Sequence, residues 1–457
     1  MLESYSYALY LAMLAFDFIY QRLSELRDRW FFFGRDNGEI LELFKVYLDL
    51  VNERYKEGKS PIIFLGEKKT EKFVSAFLAS IAGRGCLFLI NPLWQKQEWQ
   101  QLKTIAKPDI VLGTIPQNFD QGDMPEENCP RIAGVMIPTG GTSGRIKFAI
   151  HTWDTLVNSA LAFYHYFGCK TINYFVCLPL YHVSGLMPFI RSFTTGGRLF
   201  FYPFGLLKKG EYPRENFSGF YISLVPTQLN FFLENNPDFL KQFKAILVGG
   251  APLTNEQMFL ARKHALPLAP TYGMTETAGG ITILKPEEFA SNNKSSGKPL
   301  PHAKITTENG VIKVESTSLF KGYYPHYKPQ HVFVTDDVGH LDSEGYLHVL
   351  GRNSFKIISG GENIFPQEVE EVILATNLVE DVAVRGVKHP YWGEIVACFY
   401  VPKNETITAE QIRLRIQGEI SSYKIPKIWE KREFIPRNDQ GKINYNHPSL
   451  TVYYGSN

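Results

Sequence analysis

The chain has 457 residues, 44% of them hydrophobic and 21% charged, with a formal net charge of +2. That length is about three times a typical domain of roughly 150 residues, and the apolar content excludes a disordered or fibrous chain. The near balance of 48 basic against 46 acidic residues leaves no electrostatic footprint for nucleic acid or an anionic membrane.

The first feature in chain order is an unbroken apolar run from Ala8 to Phe16, preceded by Glu3 and interrupted by Asp17. It is too short and wrongly flanked for a membrane span or a signal peptide. It reads as a buried first helix, with interfacial membrane contact as the alternative. From Pro61 onward, short apolar runs alternate with amphipathic stretches: a strand at 62–65, a helix at 71–82, a strand at 86–90, a helix at 94–106 and a strand at 109–112. Further strands are read at 174–178, 198–202, 221–225 and 245–248. Strands separated by helices predict parallel βαβ units.

Near residue 310 the pattern changes to short strands joined by turns, at 311–315, 332–335 and 345–350. Beyond Arg352 a helix at 366–375, strands at 381–386 and 395–401 and a helix at 409–420 predict a small α+β module. The expected class is therefore α/β: a large N-terminal domain over 1–351 with a β-rich subdomain, followed by a small C-terminal domain over 352–457. The five cysteines (Cys86, Cys129, Cys169, Cys177 and Cys398) are scattered and lack CxxC spacing. They suggest neither a disulfide framework nor a zinc ribbon, and favour a reducing, cytoplasmic setting.

Five segments carry chemistry. In Thr139-Gly140-Gly141-Thr142-Ser143-Gly144-Arg145-Ile146-Lys147, three glycines let the backbone approach an anion and the hydroxyls and amides can donate to it. Lys147 adds a charge, and a plain flexible turn is the alternative. In Thr271-Tyr272-Gly273-Met274-Thr275-Glu276-Thr277, the ring, hydroxyl and carboxylate suit a base, a phosphate and Mg²⁺. A helix cap at Thr275 with a solvated Glu276 is the alternative there. Asp337, followed by Gly351-Arg352, suits ribose hydroxyls, against an ordinary turn aspartate and surface arginine. Ser359-Gly360-Gly361-Glu362-Asn363 precedes a helix with Pro366 in its first turn. Lys442 follows Gly441 on a turn; alone, it reads as a surface lysine.

The order of these five segments, covering about residue 60 to the C-terminus, resembles the acyl-adenylate-forming (AMP-binding) superfamily. The stretches LPLYHVSGL (178–186), LVGGAP (247–252), TYGMTETA (271–278) and ISGGENIFPQEVE (358–370) most resemble its 2-succinylbenzoate–CoA ligases. The resemblance implies ATP, Mg²⁺ and coenzyme A, and a carboxylic acid activated as an acyl-adenylate in menaquinone or phylloquinone synthesis. Another aryl- or fatty-acyl-CoA ligase, or an adenylation module that does not use coenzyme A, stays open. Carried over by position, Thr139, Gly140, Gly141, Thr142, Ser143, Gly144 and Lys147 would embrace the β- and γ-phosphates. Thr275 would bond the α-phosphate and Glu276 would hold Mg²⁺. Asp337 and Arg352 would fix the ribose, and Gly249, Gly250 and Ala251 would line the adenine slot with Tyr272 and Gly273.

Lys442 would bridge the substrate carboxylate and the α-phosphate, and His182 would stand near the acyl pocket, a packed core histidine being its alternative. Gly360 and Gly361 would serve the second half-reaction, after the small domain has turned about a hinge near Ser354. The chain departs from the family at Gly140, Ile146 and Phe148. It also departs at Asp336, which replaces a glycine and adds a carboxylate near the ribose site. The expected partner is a small-molecule carboxylate, with no nucleic acid and no stable membrane insertion. A homo-oligomer is compatible with the sequence.

Overall fold

The structure is a computed structural model describing residues 15–26, 30–32, 39–55, 59–116, 129–140, 146–437, 441–445 and 447–452. Of the N-terminal apolar run, residues 8–14 lie outside the described residues. The helix Ala15–Leu26 buries Ile19 and Leu23 and leaves Phe16 and Tyr20 exposed, so only one stripe of it faces the core.

The first sheet has strand order Ile110–Gly113, Ile62–Gly66, Cys86–Leu89, Gly134–Gly140 and Ile146–His151, parallel except for the last, antiparallel pair. Its central strands are continuous apolar runs because both faces are covered. Ile63, Leu65, Leu87 and Leu89 point into one core, while Ile62, Phe64, Cys86 and Phe88 point into another.

The second sheet runs Trp30–Phe32, Leu199–Phe201, Asn173–Val176, Phe220–Leu224, Ala245–Val248 and Leu268–Met274 in parallel. Gly279–Ile283 and Lys298–Pro299 add antiparallel strands at one edge. The loops after Val248 and Met274 thus open at the carboxyl ends of neighbouring strands, where open α/β sheets bind ligands. A four-stranded antiparallel sheet follows (Ala303–Glu308, Val311–Ser316, Val332–Leu341, Leu347–Arg352). The C-terminal sheet pairs Glu362–Ile364, Ile357–Ser359, Gly393–Pro402 and Val379–His389, with Ile428–Lys431 alongside Gly393–Pro402. The helices Pro366–Ala375 and Ala409–Ile416 help bury its apolar face.

The α/β class and the change to antiparallel strands near residue 310 agree with the sequence reading. Three local readings change. Residues 134–140 and 146–151 are antiparallel strand partners, extending into the glycine-rich segment because Pro138 to Gly140 pair with Ile146 to Phe148. Val332–Leu341 runs ten residues, six beyond the expected end, because pairing on both sides carries it through Asp336 and Asp337. The helix from Ala409 stops at Ile416, where Gly418 has a positive φ and Gln417 bridges to Ile420.

Candidate active site

The site is assembled from the loops at the ends of these strands. Thr139 and Lys147 are cross-strand partners, and Gly140 opposite Ile146 is the last pair before the turn. Gly141, Thr142, Ser143 and Gly144 lie outside the described residues. The Lys147 ammonium sits 5.3 Å from the centre of the Tyr323 ring, a cation–π contact. The Tyr323 hydroxyl donates to Glu276 Oε1 at 2.7 Å. Burial and that carboxylate push the Tyr323 phenol up, so it stays protonated and remains a donor. Tyr323 thus joins the Lys147 ammonium to the Glu276 carboxylate.

Strand Leu268–Met274 ends in the short 3-10 turn Thr275–Thr277, and the chain returns at Gly279. Thr275 is the first residue of that turn, and Met274, not Thr275, occupies the cap position. The reversal requires Gly273, since a Cβ there would lie 2.1 Å from the Gly279 carbonyl oxygen. The turn is held by its own carbonyls. His151 Nε2 donates to Thr275 O at 2.7 Å, and the Phe320 amide to Glu276 O at 2.9 Å. Ser318 Oγ donates to Thr277 O and Ser159 Oγ to Ala278 O, each at 2.9 Å. With the main chain pinned from four directions, the Thr275 and Glu276 side chains keep a fixed aim.

His151 is fully buried, and burial lowers its pKa to about 4. It is therefore neutral near pH 7. Because a carbonyl can only accept, its proton sits on Nε2, leaving Nδ1 to accept from Thr155 Oγ1 at 2.9 Å.

The Tyr272 hydroxyl donates to Asp337 Oδ2 at 2.8 Å, and Arg352 Nε lies 3.3 Å from Asp337 Oδ1. Asp337 and Arg352 are register partners on adjacent antiparallel strands. Burial, then the Asp337 charge, push the Tyr272 phenol up. One carboxylate is thus braced by a phenol and a guanidinium. Gly249, Gly250 and Ala251 follow strand Ala245–Val248, and Gly249 lies against Thr271 on the neighbouring strand. Asp336 does not join Asp337. Side chains alternate along a strand, and the Asp336 carboxylate accepts from the Ser354 amide at 3.1 Å and from the Ser354 hydroxyl. The added carboxylate is taken up by Ser354 and stands apart from the Asp337–Arg352 pair.

His182 occupies the N-cap position of the helix Val183–Thr195, its ring edge-on to Tyr181 at 4.7 Å. That helix reaches the site through Val183 and Met187, which lie against Gly279. Lys442 comes from the far end of the chain. Burial and the nearby Arg352 lower the pKa of its ammonium, while Asp337 and Glu276 pull it upward. It therefore stands near Arg352, Asp337 and Glu276. Gly360 and Gly361 form the turn between Ile357–Ser359 and Glu362–Ile364, with Gly360 packed on the Trp392 ring.

Among the described residues, no group of three or more His, Cys, Asp and Glu side chains could hold a metal ion. Glu276, buried and oriented by Tyr323, is a hard oxygen donor. Mg²⁺ commonly takes one or two carboxylates, its remaining ligands being substrate phosphates and water, and the site fits that pattern. Sequence reasoning missed His151, Tyr323 and the serines behind the turn. Their partners are far away in the chain, and no local pattern marks them.

Residues 89–324 match the model of the AMP-binding enzyme family, and residues 368–442 that of the AMP-binding enzyme C-terminal domain. A 2-succinylbenzoate–CoA ligase from Listeria monocytogenes is 31% identical over 410 residues, covering 84% of this chain and 87% of that protein. The o-succinylbenzoate CoA synthetase (MenE) of Bacillus subtilis, solved with the acyl-adenylate intermediate OSB-AMP, superposes with a TM-score of 0.82. It is 23% identical, with 95% of this chain and 98% of that one covered. The same enzyme with ATP and magnesium ion gives a TM-score of 0.78 at 24% identity, over 94% and 99% of the two chains.

Proposed function

This chain belongs to the AMP-binding enzyme family, and from that membership we propose that it is an ATP-dependent acid–thiol ligase making 2-succinylbenzoyl-CoA. The observation that carries the reading is the convergence of Lys442 on Asp337, Arg352 and Glu276. Its naming rests on the 31% identity to a 2-succinylbenzoate–CoA ligase.

A carboxylate is a poor electrophile because oxide is a poor leaving group. In the first half-reaction a carboxylate oxygen of the acid attacks the ATP α-phosphorus and pyrophosphate leaves. In the second, the coenzyme A thiolate attacks the acyl carbon and AMP leaves. Charge builds on the phosphoryl oxygens in the first step, so preplaced cations and donors are the main lever.

In this reading Lys147 and the backbone from Thr139 hold the β- and γ-phosphates, and Thr275 donates to the α-phosphate. Asp337 and Arg352 fix the ribose, Tyr272 and the loop 249–251 bound the adenine, and His182 faces the acid. When bound at Glu276, Mg²⁺ neutralises phosphate charge. Lys442 carries its positive charge to the α-phosphate and the substrate carboxylate. Gly360 and Gly361 serve the thioester step after residues 352–457 turn about Ser354. The open surface beside them carries Ile358, Lys388, His389, Trp392 and Glu394. No helix among the described residues is long and apolar enough to cross a membrane, and we place the enzyme in the cytoplasm.

The test is AMP formation with ATP, Mg²⁺ and coenzyme A over 2-succinylbenzoate, benzoate, 4-coumarate and a medium-chain fatty acid. Turnover confined to 2-succinylbenzoate is expected. Preference for another acid overturns the substrate, and pyrophosphate release without a thioester overturns the ligase.

A further inference from the structure

The loop that carries Lys442 is tied down on both sides to a single strand of the C-terminal sheet. One residue before the lysine, the Gly441 carbonyl accepts from Arg437 Nη1 at 2.8 Å. The same guanidinium makes a two-pronged contact with Asp381, Nε to Oδ2 at 3.1 Å and Nη2 to Oδ1 at 2.6 Å. Three residues after the lysine, the Tyr445 hydroxyl donates to Glu370 Oε1 at 2.8 Å, and that oxygen also accepts from the Val384 amide at 2.7 Å. Arg385 Nη1 reaches the Tyr445 carbonyl at 3.2 Å. Asp381, Val384 and Arg385 all belong to strand Val379–His389. Arg437 and Ile443 also form an antiparallel bridge across the loop.

The loop meets the large domain at the same point. Gly441 has φ +76° and lies against Thr227, in the first turn of helix Pro226–Asn235, where a Cβ would fall 2.9 Å from Thr227 Cγ2. The backbone at 441 therefore has little room, and a rotation of its peptide would swing Lys442 away from Glu276 and Asp337. A guanidinium fork can hold a carboxylate and a carbonyl together because its donors lie in one rigid plane. A lysine at 437 could neutralise Asp381 but could not reproduce the second arm.

We infer that Arg437, oriented by Asp381, is a positioning residue for the adenylation half-reaction, fixing the Gly441 peptide and hence the reach of Lys442. The inference rests on the role proposed for Lys442. Its consequence is selective: the first half-reaction depends on the brace, and the second does not.

The experiment measures the two half-reactions separately in the full chain. Pyrophosphate release from ATP, Mg²⁺ and 2-succinylbenzoate reports the first, and thioester formation from chemically prepared 2-succinylbenzoyl-AMP and coenzyme A reports the second. Arg437→Ala should slow the first at least tenfold and change the second less than twofold. Arg437→Lys should recover only part of the loss, and Asp381→Asn should fall between wild type and Arg437→Ala. An equal fall in both half-reactions would mark Arg437 as merely structural and overturn the inference, as would a wild-type first half-reaction. Lys442→Ala run in parallel separates the causes. If it abolishes adenylation while Arg437→Ala runs at the wild-type rate, the brace alone is wrong; if it leaves adenylation intact, the reading of the lysine fails and the brace with it.

Discussion

Replacing Tyr323 by phenylalanine removes one oxygen and leaves the ring under Lys147 in place. The lost contact is a 2.7 Å hydrogen bond to a carboxylate that is only 8% exposed. Hydrogen bonds to charged groups are worth about 1.5–3 kcal/mol, and a buried oxygen left without its donor bears the full desolvation cost. Without that donor Glu276 is no longer held in one orientation, and re-ordering it on metal binding should cost about 1–1.5 kcal/mol, or roughly five- to tenfold in affinity. The assay is AMP formation against free Mg²⁺ at saturating ATP. Tyr323→Phe should raise the half-saturating Mg²⁺ about tenfold and approach the wild-type rate at high Mg²⁺. Tyr323→Leu also removes the ring 5.3 Å from the Lys147 ammonium, a contact worth about 0.5–1 kcal/mol when partly exposed, and should raise the KM for ATP as well. A Tyr323→Phe enzyme with an unchanged Mg²⁺ curve and a lower maximal rate would refute the chain from phenol to carboxylate to metal.

The remaining predictions concern Ser354, Trp392 and pH. Asp336→Gly removes both contacts to Ser354; the groups are exposed, so about 1 kcal/mol is at stake, and single-turnover measurements should show adenylation slowed two- to fivefold relative to thioester formation. An unaltered ratio would count against a hinge latch. Trp392 is 47% exposed beside Gly360; loss of base stacking is worth about 1–3 kcal/mol, so Trp392→Ala should raise the KM for coenzyme A at least fivefold without affecting pyrophosphate release. Burial raises the pKa of Glu370 from 4.5 to about 7, so the folded state holds a proton that the unfolded state has lost, and stability falls as pH rises from about 4.5 to 7. Glu370→Gln should therefore match wild type near pH 5 and melt higher at pH 8, and a melting difference that does not vary with pH would rule out that account. His151 works in the opposite sense: with a folded pKa of about 4 against 6.5, it contributes stability that is lost as pH falls from 6.5 toward 4. An acid-side fall in thermal midpoint should appear in wild type and shrink in His151→Gln.

How much of this was legible in the sequence depends on distance along the chain. The strands Ile62–Gly66 and Ala245–Val248 were readable because a strand buried on both faces must be a continuous apolar run. The helix from Pro366 to Ala375 was readable because proline is favoured in a first turn. The pairing that runs up to Gly140 and resumes at Ile146 was not, since Thr139-Gly140 argues locally for a turn and only cross-strand pairing makes it strand. The helix Val183–Thr195 was obscured in the same way by Pro188.

The site divides along the same line. Residues that would touch the nucleotide sit in short segments whose composition is constrained by the ligand, so Lys147, Thr275, Glu276, Asp337, Arg352 and Lys442 stand out in the order of the motifs. The residues that aim them answer only to the fold. His151 meets Thr275 across 124 residues, Tyr323 meets Glu276 across 47, and Tyr445 meets Glu370 across 75. Nothing in a window of ten residues selects a histidine at 151 or a tyrosine at 323, because the partner that gives each its meaning is supplied by another strand. Asp336 illustrates the limit from the other side. As a string, Asp336-Asp337 reads as two carboxylates at one ribose site, but strand alternation sends Asp336 to Ser354. The departures from family pattern most worth testing are therefore those whose side chains the fold turns away from the ligand, since they can change how the two half-reactions are balanced without changing what the enzyme binds.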